Sequence, residues 1–277
     1  MKFANRLAAS NSGWKAWYFV LALLAFVLGS QLSLLSQWFG AVITPVQFIA
    51  FSVLALWFVR LAARRWPTVE DLALKRTLSW HDIGWIAAVF VVTHAVFQLL
   101  SWGMSTDEQR QQAVQYFNEL GFENGTFYAV MMVLASVICA PVCEELLYRG
   151  IILRSAHDAL ARKIPLLAAT VAAVLFSALL FALPHLGDSL LNRFAVAYLI
   201  SGIGFGLVYV QTGSLTAAMV SHSLQSCYAF ATILLFGRGD AAVSPMIYLL
   251  VFACPLWTYL CARLLWRILP KAELAAD

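Results

Sequence analysis

Charged residues are scarce in this 277-residue chain, because Asp, Glu, Lys and Arg together make up only 12% of it. A soluble domain carries about twice that share. Hydrophobic residues reach 62%, and the mean hydropathy is +0.81. No soluble core could bury so much apolar surface, so the composition excludes a soluble globular protein and predicts one whose solvent is lipid.

Cysteine is also sparse, and its five residues all lie within apolar runs. An odd number of thiols inside helices argues against a disulfide framework. We therefore interpret each cysteine as a small buried hydrophobe. No small-residue cleavage site follows the first apolar run, so we expect a retained first span rather than a signal peptide.

Long apolar runs fill the rest of the sequence. A helix needs about 20 residues to cross about 30 Å of hydrocarbon, and these runs lack the alternation of a barrel strand. The pattern predicts an all-α polytopic membrane protein, a single transmembrane domain over residues 1–277 with about eight spans and a buried polar active site. The predicted spans are 15–35, 40–60, 82–103, 126–148, 164–184, 193–211, 214–236 and 243–266.

The basic residues are distributed unevenly between the two ends of these spans. Under this assignment 15 of the 18 Lys and Arg residues fall on one side, and only Arg110, Arg193 and Arg238 fall on the other. Because basic residues stay in the cytoplasm, we expect both termini to be cytoplasmic. We expect the protein itself to lie in the cell (inner) membrane. Residues 105–124 are polar with interleaved aromatics, as in an amphipathic helix on the outer interface.

Three polar clusters interrupt the apolar runs, and ionisable side chains within a span usually mark function. Glu144, Glu145 and Arg149 lie at the end of the fourth predicted span. His185 ends the fifth span, and the seventh contains the segment 222–226, which begins with His222 and ends with Ser226.

Helix geometry separates the two glutamates. Glu145 and Arg149 are four residues apart with the acid first, which favours a structural ion pair. Neighbouring residues point about 100° apart, so Glu144 should not share that partner easily. Glu144 is then free to act as a general base toward water.

The clusters support two mechanisms if the three helices converge. Glu144, His185 and His222 could bind a divalent metal such as zinc, with an open position for water. Alternatively, Glu144 is the base and the imidazoles orient water or stabilise an oxyanion without metal. The compact H-E-x-x-H motif is absent. Straight helices would leave Glu144 and His185 about 13 Å apart in depth, a gap that helix tilt could close.

The order of these clusters resembles the CPBP family of intramembrane proteases, which includes CAAX prenyl proteases and bacteriocin-processing proteins. Its pattern is E-E-x-x-x-R, then F-x-x-x-H, then H-x-x-x-(Asn or Asp). The resemblance runs from Ala140 to Ser226, in a family-like core of about residues 126–236. It implies that Glu144 activates water with help from His185 and His222. Ser226 replaces the usual Asn or Asp, to which the family resemblance assigns oxyanion binding.

Other functions fit parts of this pattern. A non-catalytic binding or immunity protein could use the same fold, and the residue at position 226 favours it. A transporter could bind its coupling ion at Glu144, although no internal repeat is visible. The Glu-Glu-x-x-x-Arg run could also merely close a helix at the interface. For the protease we expect a peptide or protein substrate at the membrane, contact with the lipid bilayer, no nucleic acid, and no cofactor beyond the metal alternative.

Overall fold

The computed structural model describes residue 7 and residues 14–185, 193–239 and 241–272, without the side chains of residues 123 and 193–195. Every regular element in these ranges is a helix, which confirms the predicted all-α class. The longer helices are α1 (Tyr18–Ser30), α2 (Ile43–Ala63), α3 (Trp80–Leu100), α4 (Thr106–Glu119), α5 (Thr126–Leu160), α6 (Leu166–Ala182), α7 (Arg193–Thr212), α8 (Leu215–Thr232), α9 (Pro245–Phe252) and α10 (Cys254–Ile268). Short helical turns cover Gln31–Leu35, Ser36–Phe39, Gly40–Val42, Phe122–Asn124, Leu183–His185 and Ile233–Gly237.

The number of membrane spans is lower when length and apolar composition are the only criteria. Five helical stretches of the described chain then qualify, or six if α9 and α10 form one bent span. The first of these stretches contains both α1 and α2, and α7 is apolar but short. The chain is therefore a multi-pass integral membrane protein, and the count of eight stays a prediction. Helix α5 has the largest buried share of these spans, 50%, and is central to the bundle.

Helices α1 and α2 fold back on each other as a hairpin. Gly29 lies so close to Phe51 that an added Cβ would be 2.5 Å from the Phe51 Cβ. Gly40 supplies the positive φ of 56° at the tip, a conformation that costs glycine little. One continuous apolar stretch is thereby converted into two packed helices.

The last predicted span is bent rather than straight. Helices α9 and α10 meet at 64° around Ala253. Pro255 lies in the first turn of α10, where it lacks an N–H for the preceding helix and would clash with a carbonyl four residues earlier. The proline explains why a run of suitable length does not form one helix.

The polar segment 105–124 contains the expected amphipathic helix, α4. Ser105 and Glu108 form a capping box at its start, each side chain bonding to the other's backbone N–H. Its buried residues, Ala113 and Phe117, face the turn Ile233–Gly237 after α8, where Gly237 leaves no space for a Cβ beside the Ala113 carbonyl. Packing of this kind fixes α4 over one end of the bundle.

The opposite end, which we call the basic end, is closed by a cover segment, residues 68–75 of the α2–α3 connection. Its apolar side chains Val69, Leu72 and Leu74 are buried. Its backbone and side chains also bond to neighbouring elements: Val69 N–H donates to Pro270 O at 2.9 Å, Leu215 N–H to Ala73 O at 2.8 Å, and Lys75 Nζ to Thr212 O at 2.6 Å. The turn between α7 and α8 therefore lies beneath protein rather than at the surface.

Candidate active site

Helix α5 changes its winding on both sides of the two glutamates. Ala135–Cys139 and Leu146–Leu153 are π-helical, and Ala140–Glu145 between them is α-helical. Pro141 explains the first π turn, because its ring would clash with the carbonyl four residues earlier in a regular helix. Such wide turns often occur at functional sites.

Glu145 and Arg149 form an ion pair with no exposed surface. Arg149 Nη1 donates to Glu145 Oε1 at 2.9 Å, and both side chains are 0% exposed. Arg149 Nη2 also donates to the carbonyl oxygen of Gly202 on α7, at 2.7 Å. The pair that the i, i+4 spacing predicts is therefore present, and it links α5 to α7.

Aromatic rings surround the Arg149 guanidinium. Its central carbon lies 4.8 Å from the ring centroid of Phe181 and 5.4 Å from that of Phe205. Aromatic faces attract a cation within about 6 Å. With the Tyr148 ring at 6.0 Å, the buried positive charge is compensated by one carboxylate, one carbonyl and three ring faces.

His222 on α8 lies between the two glutamates. Its Nδ1 is 2.9 Å from Glu145 Oε1, and its Nε2 is 3.9 Å from Glu144 Oε2. A single imidazole approaches both carboxylates because its two nitrogens lie on different edges of the ring. Glu145 therefore contacts His222 as well as Arg149, and the structural role of the Glu145–Arg149 pair stays a prediction.

Glu144 is buried, with 7% of its surface exposed, and has no basic partner on its own helix. The two glutamates thus differ as the sequence predicts: Glu145 is held by Arg149, and the one ionisable partner near Glu144 among the described residues is His222. A carboxylate that is buried but not hydrogen-bonded to a cation can still accept a proton.

His185 lies farther along α6, in the turn that extends it. Its Nδ1 is 2.9 Å from Phe181 O, and its ring stacks on Tyr198 with centroids 4.5 Å apart. A carbonyl only accepts, so Nδ1 carries the hydrogen and Nε2 is left as an acceptor. Among the described residues His185 has no hydrogen bond or ion pair with either glutamate. Phe181 connects the histidines, since its ring also packs edge-on against His222 at 5.6 Å.

Ser226 is one helical turn beyond His222 on α8 and is half-buried. Within the part of the chain that the structure describes, its hydroxyl makes no hydrogen bond. The neighbouring Gln225 accepts from Thr93 on α3 at 2.9 Å, which ties this part of α8 to α3. The Ser226 hydroxyl is thus free to donate to a bound molecule.

The alternative zinc set is not supported by this arrangement. Across residues 14–185, 193–239 and 241–272, no three His, Cys, Asp or Glu side chains are placed to hold a metal ion together. Of Glu144, His185 and His222, only Glu144 and His222 approach each other. The described residues therefore give no support to a metal centre built from these three side chains.

Sequence reasoning missed three members of the site: the Gly202 carbonyl, Tyr198, and Phe205, whose ring stacks on His222 with centroids 4.6 Å apart. All three lie on α7, which carries no ionisable residue of the motif pattern. The glycine spacing of Gly202 and Gly206 was the available signal, because glycines allow close helix packing. Gly202 indeed lies against Ala178 and Phe181, where an added Cβ would be 3.1 Å from each.

The described bundle thus contains a buried carboxylate, a carboxylate–imidazole pair and a compensating arginine. Residues 126–228 match the family model of the type II CAAX prenyl endopeptidases, described as Rce1-like. This match supports the CPBP and CAAX protease family and confirms the resemblance seen in the three motifs. No curated protein and no solved structure matches the chain. The family match supports a protease that acts at the membrane.

Proposed function

We propose that this protein is an intramembrane endopeptidase in which Glu144 activates water, with His222 and His185 assisting. The observation that carries the proposal is the convergence of α5 and α8. It places Glu144 Oε2 3.9 Å from His222 Nε2 inside the bundle. The family match over the same helices supports a proteolytic rather than a transport role.

The spacing of these two atoms suits a shared water molecule. A separation of 3.9 Å is too long for a direct hydrogen bond. A water about 2.8 Å from each atom can instead contact both from one side. Such a water would lie beside a base inside the bundle and away from lipid, which is what hydrolysis within a membrane needs.

The reaction then follows from general base catalysis. Glu144 takes one proton from the water while the water oxygen attacks the carbonyl carbon of the peptide bond. The tetrahedral intermediate collapses as the C–N bond breaks, and the protonated Glu144 returns the proton to the leaving amine. His185, whose Nε2 is an acceptor, is proposed to bind an N–H of the peptide.

We expect His185→Ala to slow turnover without unfolding the protein.

Oxyanion stabilisation is the step for which Ser226 is proposed. With Nδ1 of His185 donating to Phe181 O, the neutral ring has no N–H left for an oxyanion. The free Ser226 hydroxyl can supply one. Loss of a single oxyanion donor costs about 10²–10³ in turnover.

We therefore expect Ser226→Ala to lower kcat by about 10²–10³, with the melting temperature unchanged. Ser226→Asn should preserve or raise activity, because an amide reaches farther and has two donors. Turnover of one peptide by the three purified proteins is the measurement. A Ser226→Ala variant that keeps its activity would show that another group donates to the oxyanion.

The orientation in the membrane is part of the proposal. We place both termini in the cytoplasm and α4 on the outer side of the inner membrane, because the basic residues concentrate at one end. Reporter fusions at residue 120 and at the carboxyl terminus should give opposite signals. Equal signals would contradict this topology.

The decisive experiment is an assay of purified protein in lipid nanodiscs against a panel of membrane-embedded peptides. We expect wild type to cleave at least one peptide, with both new termini identified by mass spectrometry. Peptide binding without cleavage, for wild type and Ser226→Asn alike, would refute the protease and leave a binding protein.

A further inference from the structure

Cations and aromatic rings gather at the basic end, where the chain after the cover segment meets the end of α10. Arg76 and Lys271 both lie over the ring of Trp266, with the guanidinium carbon 5.5 Å and Nζ 4.4 Å from the ring centroid. Arg263 lies over the ring of Tyr259 at 5.8 Å. Tyr259 Oη donates to the Arg76 carbonyl oxygen at 3.3 Å, which brings the two rings together. We call Arg76, Arg263 and Lys271 the cation cluster.

The cation cluster has no carboxylate partner in the part of the chain that the structure describes. The ion pairs between arginine and carboxylate in that part use three other residues, Arg65, Arg149 and Arg154. Glu70 lies at the same end, but its carboxylate accepts from the Ala272 N–H at 2.8 Å. All three cations are at least partly exposed. Like charges repel at short distance, so an anion bound from outside would lower the energy of the cluster.

The surroundings of the cluster indicate that this anion belongs to a lipid. Trp80 begins α3 four residues after Arg76 and is 87% exposed. Exposed tryptophans are enriched at the boundary between hydrocarbon and water. The cluster therefore lies at the level of the lipid headgroups, where phosphate diesters are the abundant anions.

An exposed apolar ridge on α10 leads to the cation cluster. It consists of four aliphatic residues, each four positions after the last and each 43–68% exposed: Leu256, Leu260, Leu264 and Ile268. Residues four apart lie on one face of a helix. The ridge follows α10 from the bend to the basic end, as an acyl chain beside the helix would.

We propose that the cation cluster binds the headgroup of an anionic phospholipid whose acyl chains lie along the apolar ridge of α10. A zwitterionic phospholipid also has a phosphate, but its amine cancels the charge that attracts it. Lys and Arg clusters at the cytoplasmic ends of membrane helices bind acidic headgroups by the same attraction. The inference goes beyond the proposed reaction and does not depend on it.

A bound headgroup would join the cover segment to α10. Arg76 directly follows the cover segment, whereas Arg263 and Lys271 belong to α10 and to the residues after it. The two elements are already linked by the Val69 N–H, which donates to Pro270 O at 2.9 Å. A ligand that binds only the folded protein stabilises it by mass action, so the melting temperature should rise with the concentration of lipid.

The test is a lipid titration of the full-length protein in detergent micelles, followed by thermal unfolding and by native mass spectrometry. Phosphatidylglycerol is the anionic probe, and phosphatidylcholine with the same acyl chains is the control. Each Lys or Arg near an acidic headgroup contributes about five-fold to its binding. With three cations we expect phosphatidylglycerol to bind about 10²-fold more tightly than phosphatidylcholine. This comparison needs only the wild-type protein.

Variants locate the site. Arg76→Gln, Arg263→Gln and Lys271→Gln should each weaken the binding of phosphatidylglycerol about five-fold. Without lipid, each variant should melt at the wild-type temperature. Arg267→Gln is the matched control, because Arg267 is also an exposed cation of α10 but lies over no aromatic ring of the described chain. We expect it to change the binding by less than about two-fold, below the effect of one bound cation.

Equal binding of the two lipids by wild type would overturn the inference. An equal loss for Arg267→Gln would overturn it too, because the attraction would then come from the diffuse charge of the basic end. Glycerophosphoglycerol is the same headgroup without acyl chains, and binding as tight as that of the lipid would indicate a site for soluble phosphates. A soluble acidic peptide that raises the melting temperature where phosphatidylglycerol does not would indicate a surface for protein. Either of these results contradicts the assignment to lipid.

Discussion

Glu144→Gln should abolish proteolysis while leaving the folded protein in the membrane. The amide has nearly the shape of the carboxylate, and Glu144 has no hydrogen-bonded cation that the change would leave unpaired. It cannot take a proton from water, so general base catalysis is lost. We expect kcat to fall by at least about 10³-fold, within the range of such catalysis. Initial rates on the best peptide of the panel measure the loss.

A matched control for this variant is Glu119→Gln. Glu119 is an exposed acid on α4 whose only described partner is Gln115, at 2.8 Å. The same chemical change there should leave both rate and melting temperature unaltered. A Glu144→Gln protein that keeps its activity would remove Glu144 from the mechanism. A Glu144→Gln protein that cannot be purified in folded form would show that Glu144 has a structural role.

Arg149→Ala should produce the largest loss of stability. It removes the partner of a carboxylate with no exposed surface and empties the space between Phe181 and Phe205. Breaking a buried ion pair from one side costs about 3–5 kcal/mol. Reversible unfolding in mixed micelles, followed by circular dichroism, gives the difference in free energy.

The control on α4 is Arg110→Ala, which removes an exposed arginine and should change stability by less than about 0.5 kcal/mol. A double variant, Glu145→Met with Arg149→Met, separates the effect of charge from that of packing. If the unpaired carboxylate is the cause, the double variant should recover most of the lost stability. A single Arg149→Ala variant as stable as wild type would show that the pair contributes nothing to the fold.

The ion pair could be predicted because both partners lie on one helix, where i, i+4 spacing alone makes them neighbours. The contact of His222 with Glu145 could not be predicted. Helical periodicity sets which face a residue occupies, but not how far one helix slides along another. The π turns around residues 135–139 and 146–153 change that register further.

The contacts of His185 with other helices could not be predicted from the sequence either. The motif order brings its helix to the site, but the contact between the histidines in the described structure runs through Phe181, whose ring packs against both imidazoles. Phe181 is part of the F-x-x-x-H motif, but the sequence does not indicate that its ring contacts both imidazoles. The bend at Ala253 is different, because Pro255 in the sequence indicates it. The apolar run is nevertheless long enough to suggest one straight span.

The cover segment affects the unit in which the concentration of substrate should be expressed. Val69, Leu72 and Leu74 are buried at the basic end of the described chain, so we expect the segment to hinder direct approach of water-soluble peptides to Glu144 from that side. A substrate dissolved in the bilayer does not need that approach, because it diffuses to the bundle in two dimensions. For an enzyme supplied in this way, the rate would depend on the mole fraction of substrate among the lipids. Adding empty lipid would then slow it, and adding buffer would not.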